Sequence, residues 1–266
     1  MQLAWIERFH AFSENELLAA LRRLGVMPGD VLMVHASYAQ FAGFRGNVGT
    51  AIRTLQGAVT EDGALLMPTL PFSGSAIEFV SSVPVTDLRR IPSHMGLLSD
   101  LFRRMPNATR SIHPTHPVAG WGRRAVTLLS EHAAATSPCG VHSPYHKLLE
   151  ADGKILLAGV SIAALTFYHC IEELLEEQLP VQPFTARTYE LRTLDAQGVL
   201  HLTRTRLYDP TVSTRRFGDP MVEPLKRRGY WRETRVGRLS LVLLHAREVL
   251  ETVENMARAG MFCYRS

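Results

Sequence analysis

Hydrophobic positions along the chain fall into two rhythms. Short continuous apolar runs at Val31–His35, Ala64–Thr69, Val118–Gly122, Lys154–Val160 and Leu239–Leu244 read as strands buried on both faces. Between them, apolar residues recur at helical spacing over Ser13–Leu24, Thr50–Ala58, Gly96–Arg104, Arg124–Glu131, Leu165–Glu177 and Ala246–Ala259. Strands alternating with amphipathic helices predict an α/β fold, with a central mixed, largely parallel sheet flanked by helices. Thr188–Leu194 and Val199–Tyr208 alternate with period two around Asp195-Ala-Gln-Gly198, which predicts an antiparallel hairpin annexed to that sheet. Gly74–Ser93 lacks either period and reads as a long loop, a candidate lid. Without repeats, low-complexity tracts or linker composition, residues 1–266 read as a single domain.

Composition narrows the class. Apolar residues make up 46% of the 266 residues, enough for a large core, and no window approaches the ~18 apolar residues of a membrane span. The N-terminus lacks the basic-then-apolar layout of a signal peptide, so a cytoplasmic location is expected. Three scattered cysteines (Cys139, Cys170 and Cys263) provide neither a disulfide framework nor a Cys-x-x-Cys zinc signature, and no metal is expected. The net charge is +4, with arginine pairs at 103–104, 123–124 and 215–216. No aromatic-interleaved basic stripe accompanies them, so the charge reads as solvated surface and not as a nucleic-acid or membrane interface. It does favour anionic ligands.

Four stretches carry candidate chemistry. His35-Ala-Ser37 ends a strand, and a loop through Gly43, Arg45, Gly46 and Asn47 leads to a helix, an arrangement suited to phosphate oxygens or to an ordinary turn. Arg110-Ser111-Ile-His113-Pro114-Thr115-His116 is a proline-stiffened loop, either a binding wall or structural; its His-x-x-His is a weak metal signal. Ser143-Pro144 reads as the capped start of a short helix. The most informative stretch is Ile155–Glu177. Here a buried strand ends at Gly159 and a helix then carries His169 and Glu172 on one face, three residues apart. A carboxylate at that spacing orients an imidazole as a general base. The same stretch admits a serine hydrolase, with Ser161 on a loosened nucleophile elbow followed by Asp209 and His245, although Ala163 replaces the second glycine of that motif.

Taken in order, these segments resemble the aminoglycoside 3-N-acetyltransferase family. The matching blocks are His35-Ala-Ser37 with Gly43 and Gly46; Met67-Pro68-Thr69; Arg110-Ser111-x-His113-Pro114; Pro138-x-Gly140-x-x-Ser143-Pro144; Leu157-Ala-Gly159; and Thr166-x-x-His169-x-x-Glu172. The resemblance implies transfer of an acetyl group from acetyl-CoA to a primary amine of an aminoglycoside or other amino sugar, by direct attack without an acyl-enzyme. It implies His169 as base, supported by Glu172, with Asp209 as a further acidic residue near the acceptor. His35, Ser37, Gly43, Arg45, Gly46, Asn47, Ser111 and Thr166 would hold CoA, while His113, His116 and Glu173 would face the acceptor. The family often carries serine at Pro117, where His116 would stand in. Glu172, Glu173, Glu176 and Glu177 would form an acidic acceptor wall on an otherwise basic chain, whose charge favours a phosphorylated or nucleotide-linked amino sugar. Antibiotic acetylation, an inactive CoA-binding homologue and a homodimer all stay open.

Overall fold

The structure is a computed structural model and describes residues 10–265. Its helices are α1 (Glu14–Leu24), α2 (Val48–Val59), α3 (Ala76–Ser82), α4 (Leu97–Phe102), α5 (Arg123–Leu129), α6 (Pro144–Glu150), α7 (Tyr168–Leu174), α8 (Pro210–Arg215), α9 (Val222–Arg227) and α10 (Ala246–Arg258). Its strands are β1 (Val31–Ala36), β2 (Ala64–Pro68), β3 (Val85–Asp87), β4 (Thr109–Arg110), β5 (Val118–Trp121), β6 (Lys154–Ala158), β7 (Phe184–Leu194), β8 (Leu200–Tyr208), β9 (Arg232–Val236) and β10 (Leu239–His245).

Seven strands form a mixed sheet in the order β4-β5-β2-β1-β6-β10-β9. The two pairings of β1, with β2 and with β6, are parallel; the four outer pairings are antiparallel. Strand period divides the apolar residues between two cores. Met33, Leu66, Leu157 and Leu244 face α6, α7 and α10 on one side. Leu32, Val34, Leu65, Leu156 and Leu243 face α1, α2 and α4 on the other. Burial on both faces is why these strands appear in the sequence as unbroken apolar runs. Local signals set the ends of several elements. Ser13 and Glu16 close a capping box on α1, and Gly25 ends that helix in the left-handed region at φ 101°.

The annex is a second sheet, β3-β7-β8. β7 and β8 form the expected hairpin, whose turn is tied by Asp195 Oδ1 accepting from the backbone N–H groups of Gln197 and Val199. The expectation of an irregular lid over Gly74–Ser93 is corrected: the segment contains α3 and β3, and β3 pairs in parallel with β7. Three residues are too few to display a period, and the strand exists through that tertiary pairing. The Leu165–Glu177 helix is also shorter than its pattern, with α7 flanked by 3-10 turns at Ile162–Ala164 and Glu176–Gln178.

Parallel strands β2, β1 and β6 end at one edge of the sheet, and the segments leaving that edge carry Thr69, Ser37 and the approach to α7. Ligand sites of open α/β sheets lie at this edge. β8 ends at Tyr208 and delivers it to the same place, against the His169 ring.

Candidate active site

His169 stands in the first turn of α7, and its Nδ1 lies 2.7 Å from Glu172 Oε2. The Glu172 side chain is fully buried, and that of His169 keeps 22% of its surface. A buried carboxylate can only accept here, so the imidazole proton sits on Nδ1 and Nε2 retains its lone pair. Glu172 Oε1 accepts from Arg216 Nε at 2.6 Å and from the Tyr264 hydroxyl. Burial alone would raise the Glu172 carboxyl, but the His169 hydrogen bond and the Arg216 guanidinium overcome it and hold the group below the usual range. For His169 burial is the largest effect and lowers its pKa; Glu172 opposes that and Arg216 adds to it. The balance favours the neutral imidazole.

Aromatic rings enclose that imidazole. Tyr208 lies 4.6 Å from the His169 ring centroid at an interplanar angle of 31°, and His116 meets it edge-on at 6.1 Å. Tyr208 is fixed in turn by stacking on Phe184 and by donating its hydroxyl to Glu173 Oε1 at 2.5 Å. Glu173 also accepts from Cys139 N–H at 2.9 Å and from the Ser137 hydroxyl. Gly140 makes that packing possible, because a Cβ there would collide with Glu173 Oε2 and with Ser137 Oγ. Burial pushes the Glu173 carboxyl up to about 7 despite those three donors.

His169 lines a cavity of about 250 Å³ with Thr166, Tyr168, Arg216, Phe217 and Met221. Met95 and Ala164 also border an adjoining chamber of about 60 Å³ under the sheet edge, lined by Val34, His35, Met67, Pro68 and Leu98. His35 is 4% exposed, and neither ring nitrogen has a protein partner. Burial drops its pKa to about 4, so a neutral donor-acceptor ring faces an apolar chamber.

Other expected site residues turn out differently. Ser111 is buried; it accepts from Val118 N–H and its hydroxyl lies 2.8 Å from His132 Nδ1, so it braces a loop. His113 is buried against His132 at 4.5 Å, and its Nδ1 accepts from the N–H groups of Thr115 and His116. His116 is 2% exposed and reaches the site only as a wall behind His169. Gly43, at φ +90°, packs where a Cβ would meet His10 O at 2.7 Å, and the N–H groups of Phe44 and Arg45 donate to Phe41 O and Phe12 O. That loop therefore presents no open nest of amides between Gly43 and Arg45. Arg45 and Asn47 are exposed, with Asn47 capping α2; Gly46 accepts from the Tyr38 hydroxyl, and Ser37 is half-buried beside β6. Asp209 caps α8, its Oδ1 accepting from Thr211 N–H at 2.8 Å and from the Thr211 hydroxyl at 2.5 Å.

The acidic wall does not form, because Glu172 pairs with Arg216, Glu173 is enclosed, and Glu176 binds Arg206 through two hydrogen bonds. Nor does the serine triad. His245 pairs with Lys154 at the start of β6, while Ser161 follows its far end. Four residues of strand already separate those positions by about 13 Å at ~3.3 Å per residue. Sequence reading missed Arg216, Tyr208 and Tyr264, each remote in the chain and without a local motif. Among the described residues no three His, Cys, Asp or Glu side chains gather as metal ligands.

Comparison with known proteins identifies the family and the fold. The family model described as aminoglycoside 3-N-acetyltransferase matches residues 33–258. Aminoglycoside N(3)-acetyltransferase IV from Salmonella sp. is 34% identical over 163 residues, 61% of this chain and 59% of that relative. The crystal structure of a histidine-to-alanine mutant of aminoglycoside acetyltransferase AAC(3)-IVa, in complex with a gentamicin, superposes with a TM-score of 0.78 at 25% identity, covering 96% of this chain and 92% of that one. AAC-IIIb, solved with CoASH, shares the fold with a TM-score of 0.77 at 22% identity, covering 96% of this chain and 99% of that one. The chain belongs to the aminoglycoside 3-N-acetyltransferase family, a family of CoA-dependent N-acyltransferases.

Proposed function

We propose that this protein transfers the acetyl group of acetyl-CoA directly to a primary amine of an aminoglycoside or other amino sugar, with His169 as general base. The observation that carries this reading is the His169–Glu172 pair, fully tied on the carboxylate side and opening on a cavity on the other. An amine of pKa near ~10 is a cation at neutral pH and has no lone pair to attack with. His169 Nε2 takes its proton, and Glu172 stabilises the imidazolium that results. The free amine adds to the acyl carbon of acetyl-CoA, the C–S bond breaks, and the excess proton of the adduct passes to the departing thiolate, which leaves as the free thiol. His35 and the chamber beside Met95 would take the donor's thioester end, and Ser37 with the exposed Arg45 and Asn47, on the segment leaving β1, would take its polar remainder. Tyr208 and His116 exclude water from the imidazole's rear face.

His169→Ala is expected to lower amine-dependent thiol release by roughly 10²-fold or more, the usual contribution of a general base. Calorimetric affinity for CoA should be unchanged. Loss of CoA affinity in parallel with turnover would make His169 a donor-site or structural residue and sink the assignment.

A further inference from the structure

Glu172 is held by a part of the chain beyond the family match, which ends at residue 258. There the backbone returns to the site as a strap. Phe217 N–H donates to Cys263 O at 3.1 Å, and Arg265 N–H donates to Arg215 O at 2.8 Å. This sets Arg216 and Tyr264 opposite each other as an isolated antiparallel pair. Cys263, 1% exposed, anchors the strap in the same core as α7. Both paired side chains converge on one atom, Glu172 Oε1: Arg216 through Nε and Tyr264 through its hydroxyl.

We propose that the segment Phe262–Arg265 is a positioning element of the acetyl-transfer site, in which Tyr264 fixes the Glu172 carboxylate and through it sets both the orientation and the basicity of His169. The proposal rests on the reading of His169 as the base. Each donor on a carboxylate draws off charge that would otherwise pull on the His169 Nδ1 proton. Glu172 bears two donors besides His169, so its support of the imidazole is tempered, and the ring stays unprotonated and ready to accept. The groups facing His169 are Glu172 from α7, Arg216 after α8, His116 before β5 and Tyr208 ending β8. Removing the Tyr264 hydroxyl changes none of these except the state of Glu172.

The test is Tyr264→Phe, which keeps the ring in place. We expect kcat to fall by about fivefold to tenfold, the size of one typical net intramolecular hydrogen bond. The acid limb of the kcat/KM profile should move to higher pH, because a freed carboxylate holds the imidazolium proton more strongly, while KM for acetyl-CoA stays constant. Incorporating 3-fluorotyrosine at position 264, a stronger donor of the same shape, should move that limb the opposite way and guards against a folding defect in the first variant. Wild-type kcat and an unmoved limb in both proteins, or a change confined to thermal stability or to KM for acetyl-CoA, would overturn the strap's role. Full turnover in His169→Ala would instead overturn the base itself, whatever Tyr264 variants do.

Discussion

Glu172 and Glu173 are adjacent on α7, yet their carboxyls shift in opposite directions. The cause is the partner set. Glu172 meets the cationic Arg216 and an imidazole, whereas Glu173 meets only neutral donors from Ser137, Cys139 and Tyr208. Spacing alone makes the first legible, because position i+3 from His169 shares its face. It leaves the second ambiguous, because the loop that encloses Glu173 arrives from residues 137–140. Glu173 has a pH-dependent consequence. Its folded carboxyl is raised from 4.5 to about 7, so between those values the native state binds a proton that the unfolded chain has released. Its contribution to stability is therefore present below about 4.5, is lost as pH climbs toward 7, and is constant above. Glu173→Gln removes that dependence. The melting temperature of the wild type, measured relative to the variant, should decline between pH 5 and pH 8. Parallel melting curves across that range would show that Glu173 does not titrate there.

Among elements, those with an unbroken apolar run, a clear period or a capping signal are legible in the sequence. β1, β2, β5, β6 and β10, the capped helices α1 and α6, and the β7–β8 hairpin stand within a few residues of their apolar patterns. β9 was missed because Arg-Glu-Thr-Arg-Val is an edge strand with alternate residues in solvent, and β3 because three residues have no period. The link between the annex and the main sheet is also invisible locally. Arg110, which reads as a basic residue of a binding loop, instead donates from Nε to Thr69 Oγ1 at 2.9 Å, from Nη2 to Thr69 O, and from Nη1 to Leu88 O and Ile91 O. It thus clamps the end of β2 to the turn after β3, and burial drops its pKa to about 9. Arg110→Leu would leave three largely buried carbonyls without their donor. A loss of about 3 kcal/mol or more is expected in denaturant unfolding. Hydrogen exchange should show protection lost first in β3, and uniform loss across the main sheet would refute the clamp.

At the scale of the molecule, charge bears on which amine is accepted. The chain carries +4 overall, and three of the four glutamates on and after α7 are already paired or enclosed, leaving Glu177 exposed. Arg216 also lines the cavity, with its charge balanced by Glu172. We propose that the net charge of +4 disfavours the long-range approach of a polycationic aminoglycoside and favours an amino sugar bearing a phosphate or carboxylate. Salt separates the two cases, since screening at ~8 Å under physiological ionic strength weakens attraction and repulsion alike. With acetyl-CoA saturating at every salt concentration, kcat/KM for a polycationic acceptor should rise between low and moderate ionic strength. For an anionic amino sugar it should fall over the same range, from a higher starting value. If the polycation is instead the better acceptor at low salt and loses activity as salt is added, an acidic surface outside the His169 cavity must be guiding it, and the preference for an anionic acceptor fails.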